Sequence, residues 1–222
     1  MTVNVIIPAA GRGIRFGGKK QLALISGKPL LYYSLHIFEN CPLVQNIVVA
    51  MAEEDLSQGE ALVKEFAFKK VSHVVPGGRE RQESVQKAFE VLPSCDVVII
   101  HDGVRPLVTE ELVQQVVAGA KEFGACVLGL PVKETLKKIG PKGFIQETVD
   151  RNSLWSIQTP QAFRYTLFQQ AIKKAIEDGF VGTDEAMLVE RLGVPIQVVS
   201  GSVLNMKITQ PEDLEVAQRL LL

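Results

Sequence analysis

The sequence predicts an α/β fold: a mostly parallel sheet flanked by helices, with one β-hairpin arm protruding from it. Three observations carry this. Short apolar, β-branched runs alternate along the chain with segments of helical periodicity. The first of those runs leads straight into a glycine- and cation-rich loop. The alternation breaks once, over residues 131–151, where two half-polar strands flank Gly140-Pro141-Lys142-Gly143.

The elements follow in order. Val3 to Ile7 reads as a buried strand, ended by Pro8 because proline cannot donate to a ladder. Behind Pro29, Leu30 to Asn40 reads as a helix with Leu31, Leu35 and Phe38 on one stripe. Asn46 to Met51 is a second strand, Glu53 to Phe68 an amphipathic helix, and Val71 to Val75 a third strand. Gly77-Gly78 opens a helix over RERQESVQKAF. Cys95 to Ile100 is a fourth strand, Thr109 caps a helix running to Phe123, and Ala125 to Leu130 is a fifth strand. The hairpin then pairs Val132–Ile139 with Phe144–Val149. A lone ribbon this polar is marginal and calls for a partner surface. A helix over Tyr165 to Asp178 follows, then one over GTDEAMLVERLG, a strand over Val194 to Val199, a short strand Asn205–Ile208, and a last helix from Pro211. One domain spanning residues 1–222, with 131–151 as its arm, accounts for the chain.

Composition narrows the function classes. At 222 residues, 46% hydrophobic and 22% charged, the chain can bury a large core. A net charge of −1 gives no global field for nucleic acid or a membrane surface, so any anion site must be built locally. No apolar run reaches membrane-spanning length, and no basic stretch precedes the first one, so neither an anchor nor a signal peptide is expected. Cys41, Cys95 and Cys126 are too few and too scattered for a disulfide framework or a zinc site; they read as reduced thiols of a cytoplasmic protein.

In such sheets, sites lie at the carboxyl ends of strands. Three loops stand there. The first runs from Ala9 to Gln21, AAGRGIRFGGKKQ, with four cations in nine residues. Small residues let backbone N–H groups approach an anion, so it reads as a phosphate site. It is neither of two familiar loops. The dinucleotide pattern G-x-G-x-x-G fails because Phe16 holds the third glycine position, and the P-loop fails because Lys20 stands where a hydroxyl is required. The second loop, Gly77-Gly78-Arg79-Glu80-Arg81-Gln82-Glu83-Ser84, offers backbone amides and a hydroxyl to a base or ribose; it also reads as an ordinary charged helix start. The third is His101-Asp102-Gly103-Val104-Arg105-Pro106. A carboxylate after a buried strand needs a partner or a cation. Asp102 can bind Mg²⁺ or a substrate hydroxyl, or pair with Arg105; His101 reads as structural. Further on, Thr183-Asp184-Glu185 is a helix-cap signature, and Lys207 alone is a surface lysine.

The stretches PAAGRGIRF, KKQ, GGRERQESV, HDGVRP, VDRNSLW, QTPQAF, TDEA and NMKIT run from end to end of the chain. Together they resemble the 2-C-methyl-D-erythritol 4-phosphate cytidylyltransferase family, of the sugar-nucleotide pyrophosphorylase superfamily. The resemblance implies a Rossmann-like nucleotidyltransferase fold of the nucleotide-diphospho-sugar transferase type, dimeric through its arm. It implies that CTP and a polyol phosphate are joined with release of pyrophosphate, with Mg²⁺ held mainly by the CTP phosphates. Ribitol 5-phosphate is the alternative acceptor. The resemblance gives Arg15, Lys20, Arg151 and Lys207 the catalytic charges. It puts CTP on Ala9, Ala10, Gly11, Gly13, Gly78, Arg79, Ser84 and Gly103. It puts the acceptor on Asp102, Arg105, Arg151, Thr159, Thr183 and Lys207, with Arg151 reaching the partner subunit's site. The chain departs from the family pattern at Gly103-Val104, where Ala-Ala is usual, at Phe16 and Arg79, and in a shorter segment before Lys20.

Overall fold

The computed structural model describes residues 1–221. Its elements are β1 (Val3–Ala9), β2 (Leu24–Ile25), β3 (Lys28–Pro29), α1 (Leu30–Asn40), β4 (Val44–Met51), α2 (Leu56–Glu65) and β5 (Val71–Pro76). Then come α3 (Arg81–Val91), β6 (Val97–Ile100), α4 (Glu110–Phe123), β7 (Ala125–Pro131), β8 (Leu136–Ile139) and β9 (Ile145–Val149). The chain closes with β10 (Trp155–Arg164), α5 (Tyr165–Glu177), α6 (Glu185–Glu190), β11 (Gln197–Ser200) and α7 (Pro211–Leu221). Seven strands form one sheet in the order β11-β7-β10-β6-β1-β4-β5. All neighbours are parallel except those of β10, which is antiparallel to both β6 and β7.

The alternation of side chains along the central strands divides the core between two faces. Val5, Ile7 and Val49 pack with Leu35, Phe38, Leu62 and Val113 on one face. Ile6, Val48 and Ile100 pack with Val85, Phe89, Phe168 and Leu188 on the other. Each fully buried Ile or Phe here contributes about 1.5–3 kcal/mol of transfer free energy. Strands buried on both sides therefore read as unbroken apolar runs, which is why they are visible in the sequence.

Several expectations need correction. β1 does not end at Pro8; it continues to Ala9, with Pro8 opposite Ala50 of β4. The missing donor of Pro8 does no harm, because it faces the side where pairing with β6 has already ended at Ile100. The segment 53–68 is a 3₁₀ turn, Glu53–Asp55, followed by the shorter α2. The strand expected at 194–199 starts later, as β11, and residues 205–208 form no strand. β10 was not foreseen: Pro160 argues against a central strand. The structure accommodates it with a register shift between Gln158 and Gln161, so the proline is not asked for a ladder bond.

The hairpin forms as β8 and β9, a separate two-stranded sheet whose tip closes through Gly140 N–H to the Phe144 carbonyl at 2.9 Å. Ile139, Phe144 and Ile145 are exposed along it. No helix among the described residues is long and apolar enough to cross a membrane.

Candidate active site

The loop after β1 is folded by one glycine. Gly13 has φ +63°, and a side chain there would run into the Gly18 carbonyl. Its own carbonyl accepts the N–H groups of Phe16 and Gly17 at 2.9 and 3.0 Å. This knot leaves Arg15 exposed and turns the chain back beneath it. Of the two lysines that follow, Lys19 pairs with the buried Asp55 and is structural. Lys20 is half-buried, and its Nζ donates to the Ile208 carbonyl at 3.0 Å. Burial lowers its pKa first, and neighbouring Lys207 lowers it further.

Ala9, Ala10, Gly11, Gly78, Arg79 and Ser84 line a cavity of about 150 Å³, closed on its inner side by Lys20, Arg81, Asp102 and Lys207. It opens outward past Arg12 and Glu83 into a cleft of about 670 Å³. Ser84 is spent on shaping the loop: its hydroxyl accepts from Gly78 N–H at 3.0 Å and donates to the Glu80 carbonyl at 3.1 Å. Gly13 and Gly103 do not line the cavity. A Cβ at Gly103 would come within 3.0 Å of the Ile7 and Leu31 side chains, and the Gly103 N–H faces the Pro8 carbonyl at 3.4 Å.

The loop after β6 places Asp102, only 5% exposed, at the centre of the site. Arg81 Nε donates to Oδ1 at 2.9 Å and Lys207 Nζ to Oδ2 at 2.8 Å, while Arg105 stands 3.7 Å from Oδ2. Burial alone would raise its pKa. Arg81, Lys207 and Arg105 overcome that and hold it well below the usual carboxylate range. Asp102 N–H donates to the Thr159 hydroxyl at 3.0 Å. A second cavity of about 350 Å³, lined by Arg105, Gln158, Thr159 and Thr183, lies on the far side. The same three side chains, Arg81, Asp102 and Lys207, form the wall between the two compartments.

Lys207 owes its place to its neighbours rather than to a strand. Asn205 Nδ2 donates to the Thr159 carbonyl at 2.8 Å, and Ile208 N–H to the Val104 carbonyl at 2.9 Å. Arg105 Nη1 donates to the Asn205 carbonyl at 2.8 Å. These bonds pin residues 205–208 against the third loop.

Two residues of the site were missed in the sequence. Arg81 Nη1 donates to both oxygens of Glu185 at 2.6 and 2.7 Å. Glu185 is 1% exposed, and burial pushes its pKa up while Arg81 opposes that. Desolvation works against the Arg81 charge, yet Glu185 and Asp102 raise its pKa above the ordinary value. Asp184, not Thr183, caps α6, accepting from Met187 N–H at 3.0 Å. Like Gly13 and Gly103, Arg15 and Arg151 line neither compartment. Arg15 is exposed on the first loop, and Arg151 is exposed at the base of the hairpin, where it donates to the Lys133 carbonyl.

The donor set speaks against an all-protein metal site. Among the described residues no three His, Cys, Asp or Glu side chains cluster to hold an ion. The expected ligand Asp102 has each oxygen engaged by a cation. A divalent ion in this site would have to be held by phosphate oxygens of the substrate.

His101 is structural, as expected. Its Nε2–H faces the Arg105 carbonyl and its Nδ1 the Thr159 hydroxyl, each at 3.2 Å, which fits the neutral ring. Burial lowers its pKa from 6.5 to about 4. Between those values the unfolded chain binds a proton that the folded one refuses, so stability falls as pH drops through that window. From pH 7.5 to pH 5 the loss from His101 should be about 2 kcal/mol. Urea unfolding at both pH values should show that increment in wild type and its absence in His101→Gln. The same pH dependence in both would contradict the assignment.

Two adjoining compartments, both walled by cations at the carboxyl ends of the strands, suit transfer between one phosphate and another, and with this sheet they define a nucleotidyltransferase. The family model of 2-C-methyl-D-erythritol 4-phosphate cytidylyltransferase matches residues 3–222. A protein of that name from Caldanaerobacter subterraneus subsp. tengcongensis is 42% identical, over 100% of this chain and 99% of the relative. One from Bacillus licheniformis is 40% identical, over 100% and 96%. The solved structure from Thermus thermophilus has TM-score 0.83 at 32% identity, covering 99% of this chain and 98% of that one. The structure from Francisella tularensis has TM-score 0.84 at 30% identity, covering 99% of each. The chain belongs to the 2-C-methyl-D-erythritol 4-phosphate cytidylyltransferase family.

Proposed function

We propose that the chain joins CTP and 2-C-methyl-D-erythritol 4-phosphate, giving 4-diphosphocytidyl-2-C-methyl-D-erythritol and pyrophosphate in non-mevalonate isoprenoid biosynthesis. The observation that carries this is the shared wall of Arg81, Asp102 and Lys207. CTP occupies the smaller compartment and its outer cleft, with its phosphates toward Lys20 and Arg15. The polyol phosphate occupies the larger one, with its hydroxyls toward Asp102, Thr159 and Thr183 and its phosphate toward Lys207. A phosphate oxygen of the acceptor attacks the α-phosphorus, and the bond to the β-phosphate oxygen breaks. The nucleophile is already an anion, so no strong base is required. The obstacle is repulsion between two polyanions, and fixed cations relieve it. Mg²⁺ carried on the CTP phosphates would neutralise the leaving pyrophosphate.

The active form is a homodimer, and Arg151 completes the partner's acceptor site. Trp155, Ile157 and Val198 converge over Gly129 as an exposed apolar patch close to the hairpin, itself exposed at Ile139, Phe144 and Ile145. A two-fold contact would cover both. The double variant Phe144→Asp/Trp155→Asp should sediment as a monomer and lose turnover; a dimer at full activity would contradict this. Three free thiols, Cys41, Cys95 and Cys126, suit a cytoplasmic setting.

The test of the reaction is pyrophosphate release with CTP, Mg²⁺ and either polyol phosphate. Turnover with 2-C-methyl-D-erythritol 4-phosphate well above that with ribitol 5-phosphate is expected. The reverse order would overturn the assignment of the acceptor.

A further inference from the structure

We infer that Glu185 is a positioning residue that keeps one oxygen of Asp102 free for Lys207. Arg81 has three faces for hydrogen bonding. Glu185 takes Nη1 with both its oxygens, and Asp102 Oδ1 takes Nε. The third nitrogen, Nη2, is buried with no partner among the described residues. Nη2 lies on the same edge of the guanidinium as Nε, and that edge is the fork that grips a carboxylate by both oxygens. Only the pull of Glu185 on the opposite corner keeps the fork from closing on Asp102. The oxygen thereby spared, Oδ2, holds Lys207 Nζ at 2.8 Å.

The consequence follows from charge. With Glu185 neutralised, Arg81, 28% exposed along its side chain but with Nη2 buried, keeps its charge with half its compensation gone, which is costly. It would recover by rotating Nε and Nη2 onto both oxygens of Asp102, and Lys207 would lose its anchor in the wall between the compartments. Glu185 touches neither cavity and acts only through Arg81. Its role is to fix where the acceptor-side cation stands before substrate arrives.

Glu185→Gln is the test, with two readouts. The first needs no turnover: acylation of lysine amines by N-hydroxysuccinimidyl acetate, followed residue by residue by mass spectrometry, with exposed Lys173 as internal reference. Lys207 should react roughly fivefold faster in Glu185→Gln than in wild type, as expected for a loosened ion pair. The second is kinetic and rests on the reading of the compartments above. kcat should fall roughly 10- to 100-fold, the scale of a misplacement of about 1 Å, with CTP affinity within about threefold of wild type. In the Arg81→Gln background the competitor is gone, so adding Glu185→Gln should change neither readout by more than about twofold. Unchanged Lys207 labelling in Glu185→Gln would overturn the inference, even if the activity reading stands. Equal effects of Glu185→Gln with and without Arg81 would overturn it too. Should Glu185→Gln fail to fold, Arg81→Lys carries the test: a lysine has no fork, so Lys207 should label at the wild-type rate or slower, and faster labelling would overturn the inference.

Discussion

Lys20→Ala is expected to lower kcat by roughly 100- to 1,000-fold, the usual loss for one preorganised charge donor at a reacting phosphate. Lys20 is the cation that lines the smaller cavity from the first loop, anchored on the Ile208 carbonyl at 3.0 Å. It is held there before substrate binds, so its charge is in place without reorganisation. Arg15→Ala should show a loss of the same order by the same reasoning, although Arg15 is exposed and must close onto the triphosphate. Separate measurement of kcat and KM for CTP checks both. Full kcat with only a raised KM would show that these cations bind substrate and do no more. Lys20 also carries a pH signature. Burial and Lys207 depress its pKa, so its charge is present at low pH and lost earlier than usual as pH rises. Turnover should carry an alkaline limb below the ordinary lysine range, and Lys20→Arg should remove it.

Asp102→Ala should cost stability as well as activity. The carboxylate is 5% exposed and lies among Arg81, Arg105 and Lys207. Removing it leaves three cations facing one another, two of them largely buried. Breaking a buried ion pair in this way typically costs about 3–5 kcal/mol. Denaturant unfolding should report that loss with an unchanged m-value, and the folded variant should also show poor turnover because Lys207 has lost its anchor. A loss under about 1 kcal/mol would mean that the cluster is well hydrated and that Asp102 holds little together.

The sequence made the framework legible because parallel strands buried on both faces announce themselves as apolar runs, and because sites in such sheets sit where those runs end. That logic led directly to Lys20 and Asp102. It failed at β10, where Gln158, Pro160 and Gln161 break the apolar pattern inside a central strand; the bulge that accommodates Pro160 has no local signature. It also failed at Arg81 and Glu185. A charged residue in the first turn of a helix looks like capping, and nothing local says that two such residues, 104 positions apart, meet over a third. At Gly103, which the resemblance puts on CTP, the structure adds a packing reason for glycine: a Cβ there would come within 3.0 Å of the Ile7 and Leu31 side chains. Lys207 looked like a surface lysine because its placement depends on Asn205, Thr159 and Val104, all contacts that no spacing in the chain reveals.

In the proposed homodimer one active centre draws on two chains: Lys20, Asp102 and Lys207 from one subunit and Arg151 from the other. Subunit complementation tests it most directly. Arg151→Ala and Lys20→Ala, each inactive alone, are mixed in equal amounts under conditions where exchange is verified by mass. Random pairing makes half the dimers mixed, and each mixed dimer has one site with every residue intact, so recovery should approach about one quarter of wild-type activity. No recovery despite proven exchange would place Arg151 in the site of its own subunit and contradict the shared centre.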